Sequence, residues 1–281
     1  MTRDLDTVAL TDIQLVDQLT TIVSRAAAGI LAVDPATAAR RTKPDLSPVS
    51  AADEAANAII VEGLSCLLPG MPIVSEEAIE PRGAVPLRPC FALVDPLDGT
   101  REFLAGRNEF TVNVALVLDG VPAVGIIAAP ALGLMWRGVT GRGAERLRLP
   151  PGAGAGETSE MVAIRTRRQP AHGLVAAISR SHFDARTAAL IARLPISTQI
   201  ACGSSIKFCR IAEARADIYP RLAPTHEWDV AAGHAIVLAA GGAVITPDGK
   251  SLAYGRSAEG FRVPAFIALG DPDMAKSIFC S

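Results

Sequence analysis

The chain has no excess of charge of either sign and no apolar run that suits a membrane-spanning helix. Its 281 residues carry a formal net charge of −2, which argues against a nucleic-acid coat protein or a polybasic membrane anchor. A long uncharged run, residues 120–136, contains three glycines and two prolines, so strands joined by turns are expected there. The apolar run over residues 230–245 is interrupted by two glycines at residues 241–242 and is too short to span a bilayer. We therefore expect no transmembrane segment and no nucleic-acid partner.

Cysteines are few, odd in number and never arranged as Cys-x-x-Cys. This pattern is typical of reduced, mostly buried thiols in an intracellular protein. Cys209 lies in an apolar, helix-like run without a nearby histidine, which argues against a catalytic thiol. The first residues are charged and lack the apolar core of a secretory signal. We expect a cytoplasmic protein, with peripheral association at the inner face of the cell membrane left open. The five cysteines are Cys66, Cys90, Cys202, Cys209 and Cys280.

Apolar periodicity divides the chain into two halves, with a Gly-, Ala- and Pro-rich boundary over residues 150–160. Residues 1–155 are predicted to be an α+β half, with two helices against a largely antiparallel sheet. Residues 156–281 alternate strands with helices, which predicts a layered α/β half. Helices are predicted over residues 12–30, 50–68, 185–194, 205–216 and 229–240. Strands are predicted over residues 71–75, 91–94, 110–118, 121–128, 134–139, 144–149, 175–179, 197–201, 217–219, 243–246 and 266–269, and a basic loop over residues 40–45.

The most informative stretch is Asp-Pro-Leu-Asp-Gly-Thr at residues 95–100, directly after a predicted buried strand. We expect a tight turn, stiffened by Pro96 and open to close ligand approach at Gly99. Two carboxylates held this close repel each other unless one is protonated or a cation lies between them. Hard oxygen donors on a rigid turn suit Mg²⁺. The alternative is an ordinary type I turn, for which Asp-Pro-x-x-Gly is equally typical.

Other acidic residues follow strands or begin helices, and each has a structural explanation of its own. Glu76 and Glu77 follow a short predicted strand and are compatible with a solvated loop end. Asp53 lies three residues after Ser50, in the form of a capping box. Asp229 lies at a predicted helix N-terminus, where a carboxylate is favoured on electrostatic grounds.

Taken together, four segments carry a more specific signal: residues 48–53, 76–77, 95–100 and 228–233. In this order they resemble the inositol monophosphatase superfamily over nearly the whole chain. Within it, the chain is most similar to the CysQ-type 3′(2′),5′-bisphosphate nucleotidases. The segments that favour this subgroup are residues 100–103 (Thr-Arg-Glu-Phe), 179–182 (Ser-Arg-Ser-His), 203–209 (Gly-Ser-Ser-Ile-Lys-Phe-Cys) and 219–221 (Tyr-Pro-Arg).

The resemblance implies a layered αβαβα sandwich with the site between the two halves. It implies two or three Mg²⁺ ions, inhibition by lithium, and an attacking water activated by Asp53 and Thr100, with Glu76 also in the catalytic set. The implied metal ligands are Glu76, Asp95, Asp98, Asp229 and the carbonyl oxygen of Leu97. The implied substrate contacts are Gly99 and Thr100 through their backbone N–H groups, together with His182, Ser204, Lys207, Arg221 and Asp229.

Three functional hypotheses follow. The first is a Mg²⁺-dependent phosphatase that removes the 3′-phosphate of adenosine 3′,5′-bisphosphate or of its 5′-phosphosulfate. The second is the same chemistry on inositol phosphates or fructose 1,6-bisphosphate, because one fold hosts several substrates. The third is a non-catalytic metal- or phosphate-binding protein, against which the retained Asp53 and Thr100 argue. The expected partner is a small phosphorylated molecule, favoured as a nucleotide, and a homodimer is compatible with the resemblance.

The residues expected to select a nucleotide have alternative explanations. Lys207 and Arg221 suit a second phosphate that the metal ions do not hold. However, His182 is also placed to cap the following helix, Lys207 to be solvated, and Arg221 to pair with Glu227. These alternatives stay open from the sequence alone.

Overall fold

The computed structural model describes residues 11–38, 40–42, 48–78, 88–181 and 183–279. Within them, two β-sheets alternate with three layers of helices, which confirms the expected αβαβα sandwich. Helices and strands are numbered in chain order. The helices are α1 (Ile13–Leu31), α2 (Ala51–Leu67), α3 (Thr100–Leu104), α4 (Ala185–Ala192), α5 (Ile206–Ala212), α6 (Glu227–Ala239) and α7 (Met274–Phe279). None of these described helices is both long and apolar enough to cross a membrane.

The larger sheet has seven strands in chain order, β3 to β9, all antiparallel to their neighbours except the parallel pair β3 and β4. Its strands are β3 (Ile73–Ser75), β4 (Cys90–Asp98), β5 (Thr111–Leu118), β6 (Val121–Ala129), β7 (Leu134–Val139), β8 (Gly143–Arg148) and β9 (Glu160–Ile164). The sequence did not predict β9, which pairs with β8 beyond the boundary expected at residue 155. The division at that boundary stays a prediction.

The smaller sheet has the order β11-β10-β12-β16-β14, with β10 parallel to both of its neighbours. Its strands are β10 (Leu174–Ser179), β11 (Ile196–Cys202), β12 (Ile218–Arg221), β14 (Ala243–Ile245) and β16 (Phe266–Leu269). Two short antiparallel pairs complete the described strands: β1 (Arg40–Thr42) with β2 (Pro48–Ser50), and β13 (Thr225–His226) with β15 (Arg262–Val263). The basic loop expected over residues 40–45 is therefore partly wrong, because residues 40–42 form a strand; residues 43–47 lie outside the described part of the chain.

Three apolar clusters fill the spaces between the layers. Helices α1 and α2 pack on one face of the larger sheet, with Val16, Leu19 and Val23 of α1 buried. Helices α5 and α6 pack between the two sheets. Helices α4 and α7 cover the outer face of the smaller sheet through Ile191 and Met274. The apolar spacing recognised in the sequence therefore corresponds to buried helix faces.

Helix α6 lies unusually close to the larger sheet, and this contact fixes the position of its N-terminus. A Cβ at Gly125 of β6 would lie 2.2 Å from the carbonyl oxygen of Ala232 in the helix. A Cβ at Gly233 of the helix would lie 2.2 Å from the Phe208 ring of α5. Because no side chain fits at either place, glycine is required for α6 to pack between the sheet and α5. Asp229 is thereby held near the end of β4.

Strand β4 continues through the segment where a tight turn was predicted. Asp95 pairs with Asn113 and Asp98 pairs with Thr111, so three steps on β4 oppose two on β5. This extra residue makes a β-bulge, which re-aims side chains locally without ending the strand. The turn prediction is therefore wrong for residues 95–98, and the chain turns only at Gly99, whose φ is +92°.

Helix α5 ends at Ala212, earlier than the predicted end at residue 216. Ala214 has a φ of +58°, which an α-helix cannot continue through. The other predicted helices and strands of the two sheets agree with the structure to within about four residues at their ends.

Candidate metal and phosphate site

Strands β3 and β4 and helix α6 bring three carboxylates together. One oxygen from each of Glu76, Asp95 and Asp229 lies within 4.8 Å of the other two. Glu76 follows β3, Asp95 lies on β4 beside the bulge, and Asp229 lies in the first turn of α6. Because β3 and β4 are parallel neighbours, the residue after β3 lies next to Asp95. The structure thus places residues from both halves of the chain in one cluster.

Asp95 is the most enclosed member, with 1 % of its surface exposed. Its pKa is raised well above the usual value by burial and then by Glu76, Asp98, Asp229 and Asp53. The backbone N–H of Leu97 donates to Asp95 Oδ1 at 3.1 Å, whereas no described group donates to Asp95 Oδ2. A buried acceptor without a donor, surrounded by negative charge, is costly unless a cation is bound. The oxygen-only set of donors suits a hard divalent ion such as Mg²⁺.

Asp98 lies at the end of β4, beyond the bulge, in a mixed environment. Burial and the nearby Asp229 raise its pKa to about 6. Three interactions act to lower this pKa: the charge of Lys207, the hydrogen bond from Ser205 and the charge of Arg221. Asp98 therefore lies between the acidic cluster and the basic residues of the second half.

Asp53 and Thr100, predicted to activate water, are in contact. Thr100 Oγ1 lies 2.8 Å from Asp53 Oδ1 and 3.2 Å from the carbonyl oxygen of Leu97. Asp53 Oδ2 accepts hydrogen bonds from the backbone N–H and the hydroxyl of Ser50, at 2.8 Å and 2.6 Å. The two explanations offered for Asp53 are therefore compatible, because one oxygen caps helix α2 and the other holds Thr100.

Asp229, like Asp53, both caps a helix and belongs to the site. Its Oδ2 accepts hydrogen bonds from the backbone N–H of His226, at 3.0 Å, and from the hydroxyl of Thr225. These bonds close the N-terminus of α6, as expected of an acid in the first turn. They also fix the orientation of the carboxylate that joins Glu76 and Asp95. The capping position of Asp229 in the sequence therefore did not exclude this residue from the carboxylate cluster.

Gly99 and Ser204 interlock behind the carboxylates. A Cβ at Gly99 would lie 2.3 Å from Ser204 Oγ, so glycine is required here by space as well as by its positive φ. Ser204 itself has a φ of +50°, and its hydroxyl lies 2.8 Å from the carbonyl oxygen of Asp98 and 3.0 Å from that of Glu109. This side chain holds backbone, whereas the sequence predicted that it contacts the substrate.

Lys207 lies inside the protein, with 2 % of its surface exposed. Its ammonium donates to the carbonyl oxygens of Cys202, at 3.4 Å, and of Ser204, and it lies 5.2 Å from the centre of the Tyr219 ring. The alternative of a solvated lysine is wrong, because the carbonyls replace water around the buried charge. Its charge acts on Asp98, while its hydrogen bonds hold the turn that contains Ser204.

Arg221 lies half-buried at the end of β12 and faces the site. Burial opposes its charge, yet Tyr219, Asp229 and Asp98 raise its pKa above the usual value. No described group accepts from its Nε. The alternative pairing with Glu227 is not what holds that carboxylate, since Glu227 accepts the backbone N–H groups of Gly255 and Arg256 at 2.7 Å and 2.9 Å. Arg221 is therefore placed to meet an anion next to Asp98.

The remaining predicted contact, His182, lies outside the described residues. The following helix is capped by Asp184, whose carboxylate accepts the backbone N–H groups of Arg186 and Thr187 at 2.9 Å and 3.1 Å. The alternative of a cap from His182 is therefore wrong.

Sequence reasoning missed four polar residues around the cluster: Glu102, Glu109, Asn113 and Ser205. Glu109 accepts the backbone N–H of Gly203 at 2.7 Å, and Glu102 accepts the hydroxyl of Ser181 at 2.5 Å. Asn113 was detectable as a lone amide in the otherwise apolar strand β5, which is buried along nearly its whole length. An amide in such a strand needs a polar partner.

Comparison with known proteins points to one family. The model of the inositol monophosphatase family matches residues 4–265. The 3′(2′),5′-bisphosphate nucleotidase CysQ of Escherichia coli is 39 % identical over 227 residues, which are 80 % of this chain and 86 % of that protein. CysQ of Salmonella typhimurium is 40 % identical over 224 residues, with the same two shares.

Solved structures agree with these sequence relatives. The crystal structure of CysQ from Bacteroides thetaiotaomicron, described as a bacterial member of the inositol monophosphatase family, has a TM-score of 0.74 and 33 % identity. The comparison covers 90 % of this chain and 96 % of that one. An inositol monophosphatase from Anabaena shares the fold at a TM-score of 0.72 and 22 % identity, with 95 % of each chain covered.

Proposed function

Because this chain belongs to the inositol monophosphatase family, we propose that it is a metal-dependent phosphatase that hydrolyses the 3′-phosphate of adenosine 3′,5′-bisphosphate. The corresponding 5′-phosphosulfate is a second substrate of the same class. The observation that carries the phosphatase chemistry is the carboxylate cluster of Glu76, buried Asp95 and Asp229, together with the Asp53–Thr100 pair. The choice of nucleotide is supported by the CysQ relatives.

The residues that would hold the divalent ions all offer oxygen atoms, the donors that Mg²⁺ prefers. They are Glu76, Asp95, Asp98, Asp229 and the carbonyl oxygen of Leu97. Asp95 is the central member of this set, because it has a buried oxygen without a described donor and because Glu76, Asp98, Asp229 and Asp53 raise its pKa. When bound, Mg²⁺ neutralises the phosphate and makes water a better nucleophile near neutral pH. We propose two or three ions, as the number of oxygen donors allows.

Asp53 and Thr100 orient the attacking water. Asp53 is fixed by Ser50, so its free oxygen presents a constant acceptor to the Thr100 hydroxyl. Since the hydrogen of that hydroxyl is directed to Asp53, the lone pairs of Thr100 Oγ1 are left to accept a hydrogen bond from water. The water then attacks phosphorus, the bond to the 3′-oxygen breaks, and the nucleoside 5′-phosphate leaves with a 3′-hydroxyl. Glu76 stays a proposed member of the catalytic set, supported by its place in the carboxylate cluster with Asp95 and Asp229.

The second phosphate of the substrate is assigned to Arg221. Its half-buried guanidinium faces Asp98 and Asp229 from the second half of the chain and has an N–H without a described acceptor. The backbone N–H groups of Gly99 and Thr100 are proposed to contact the phosphate that is cleaved. Lys207 and Ser204 support the site from within, since both bond to backbone carbonyls. His182 stays a predicted nucleotide contact.

A phosphate-release panel tests the proposal. The substrates are adenosine 3′,5′-bisphosphate, inositol 1-phosphate and fructose 1,6-bisphosphate, each assayed with Mg²⁺ and with chelator. We expect Mg²⁺-dependent release with the highest kcat/KM on the nucleotide. A preference for inositol 1-phosphate or the sugar bisphosphate would contradict the nucleotidase assignment but retain the chemistry. Release that survives chelation, or none with any substrate, would contradict the phosphatase itself.

A further inference from the structure

Ser205 stands where a serine usually caps a helix, yet its hydroxyl does something else. It is the residue directly before α5, and its side chain makes no capping hydrogen bond. The residue is 2 % exposed. Its Oγ lies 2.9 Å from Asp98 Oδ2 and 3.1 Å from the backbone carbonyl oxygen of Asp229. A favourable cap is thus replaced by contacts with two residues of the acidic site.

Asn113 controls which way the Ser205 hydroxyl points. This amide lies on β5 with 1 % exposure, and its Nδ2 donates to Ser205 Oγ at 2.9 Å. The opposite amide orientation would place a third acceptor around a hydroxyl that has only one hydrogen. With Asn113 donating, Ser205 is left to donate, and the charged Asp98 carboxylate is a stronger acceptor than a neutral carbonyl. Asn113 therefore donates a hydrogen bond to Ser205, and Ser205 donates one to Asp98.

The turn that carries Ser205 is anchored from its other side. The Glu109 carboxylate accepts the backbone N–H of Gly203 at 2.7 Å and forms an ion pair with Arg180 at the same distance. The Ser204 hydroxyl bonds to the carbonyl oxygens of Asp98 and Glu109. Three successive residues thus tie the turn to the end of β4 and the start of β5. Ser205 has little freedom to move away from the site.

We propose that Ser205 is a positioning residue that fixes the Asp98 carboxylate and its spacing from helix α6, with Asn113 holding the Ser205 hydroxyl in its donating orientation. Asp98 comes from the first half of the chain and Asp229 from the second, and Ser205 contacts both. Partners that orient ligating carboxylates control metal affinity without touching the metal. The inference rests on the proposed function, since it concerns how two of the proposed ligands are held.

The test measures Mn²⁺ binding to the metal-free protein by electron paramagnetic resonance, without substrate. Ser205→Ala should weaken Mn²⁺ binding about ten- to a hundredfold, as loss of outer partners of metal ligands does elsewhere. Ser205→Thr keeps the hydroxyl and should recover most of the affinity. In the activity assay, Ser205→Ala should raise the Mg²⁺ concentration needed for half activation and leave the substrate KM at saturating Mg²⁺ nearly unchanged.

Ser24→Ala is the matched control. Ser24 is also buried, and its hydroxyl bridges two backbone groups, Pro150 O at 3.3 Å and Gly152 N at 3.0 Å, away from the site. It should lower thermal stability and leave Mn²⁺ affinity at the wild-type value. Equal losses of Mn²⁺ affinity in Ser24→Ala and Ser205→Ala would mean that Ser205 acts only through general stability, which overturns the inference.

A double-mutant cycle tests whether Asn113 affects Mn²⁺ binding through the Ser205 hydroxyl. Asn113→Ala alone should weaken Mn²⁺ binding less than Ser205→Ala, and should cost little more once Ser205 is already alanine. Wild-type Mn²⁺ affinity in Ser205→Ala, or strictly additive losses, would overturn the inference. These outcomes differ from failure of the proposed function, which would be a wild-type protein that binds neither Mn²⁺ nor Mg²⁺ or releases no phosphate. Should Ser205→Ala fail to fold, Asn113→Ala and Ser205→Thr decide the outcome by the same measurement.

Discussion

Two groups of carboxylates in this fold each have a buried member, Asp217 in one and Asp95 in the other, and they differ in what neutralises that member. Glu213 and Asp217, between α5 and β12, are 5 % and 1 % exposed and are surrounded by arginines. Glu213 pairs with Arg146, Arg210 and Arg215 and accepts the indole N–H of Trp136 at 3.0 Å. Asp217 accepts two hydrogen bonds from Arg167, at 2.7 Å and 2.9 Å, and one from the backbone of Val175.

In the second group, Glu76, Asp95 and Asp229, no basic side chain of the described residues pairs with the central Asp95. The neighbouring charges that raise the pKa of Asp95 most are Glu76, Asp98, Asp229 and Asp53, whereas Lys207 and Arg221 act on Asp98. A buried carboxylate is costly unless it is paired. Arginines of the chain neutralise the first group, whereas Asp95 in the second has no described basic partner and is relieved by a bound cation or by protonation. Burial of an acid therefore does not mark a site here, but burial without a basic partner does.

The largest expected effect comes from removing the charge of Asp95. Asp95→Asn should lower turnover by more than about a hundredfold, since even outer partners of metal ligands cost ten- to a hundredfold. Asp217→Asn, the matched change in the paired group, should keep turnover and lose about 1–3 kcal/mol of stability. Both are measured as kcat at saturating Mg²⁺ and as free energy of unfolding. Near-wild-type turnover in Asp95→Asn would remove the distinction between the groups.

Water orientation provides the next largest effect. Thr100→Ala should lower kcat by about a hundredfold or more, because the hydroxyl held by Asp53 is lost. Thr100→Ser retains that hydroxyl and should stay within about tenfold of wild type. The comparison is made at saturating Mg²⁺, so that a change in metal affinity does not enter. Equal rates for the two variants would show that the hydroxyl has no part in water activation.

Substrate choice should depend on Arg221, the basic residue near Asp98 and Asp229. Arg221→Ala should lower kcat/KM for adenosine 3′,5′-bisphosphate about ten- to a hundredfold, the equivalent of one charge-assisted hydrogen bond of ~1.5–3 kcal/mol. Inositol 1-phosphate should be affected much less, since it has no second phosphate. Lys207→Ala should lower both activities together, because Lys207 bonds to backbone carbonyls inside the protein. An unchanged ratio of the two kcat/KM values in Arg221→Ala would contradict the assignment of the second phosphate.

The smallest effect concerns pH in the metal-free protein. The pKa of Asp98 is raised to about 6 by burial and Asp229, so the folded state binds this proton more tightly than the unfolded state. Stability should therefore fall as pH rises from about 4 to about 6. Burial lowers the pKa of His234 to about 3, which acts in the opposite direction but is common to all variants compared.

The measurement for this pH effect is the Tm in chelator across that range, for wild type and for Asp98→Asn. The difference in Tm between the two proteins should shift in favour of Asp98→Asn as the pH rises, and saturating Mg²⁺ should restore the wild type at neutral pH. A difference in Tm that does not change with pH would contradict the raised pKa of Asp98.

The layered fold was predictable because its signals are local. Helix α1 begins after Asp12, in agreement with the helix predicted over residues 12–30, and helix α2 begins after Ser50, where the capping box predicted it. The hairpin of β5 and β6 turns at Asp119 and Gly120, both with positive φ, as its sequence indicated. The apolar spacing of these segments is determined within one turn of helix or one pair of strands. Contacts between residues distant in sequence determine only how these helices and strands are arranged in layers.

The site was predictable in its carboxylates and less so in their surroundings. Asp53 and Thr100 are 47 residues apart and meet as the family resemblance implied. The bulge after Asp95 depends on the register with β5, which no residue of β4 specifies. The burial of Lys207 depends on carbonyl groups of the turn before α5. Ser205 and Asn113 are 92 residues apart, and neither has a local motif that would predict their contact.

The most direct test of the difference between the two carboxylate groups is a calorimetric titration of Mg²⁺ and Mn²⁺ into metal-free wild type, Asp95→Asn and Asp217→Asn. Wild type and Asp217→Asn should bind the ions with the same affinity, because the paired carboxylate is not part of the site. Asp95→Asn should lose most of the binding heat. Wild-type affinity in Asp95→Asn, or loss of binding in a folded Asp217→Asn, would contradict the account.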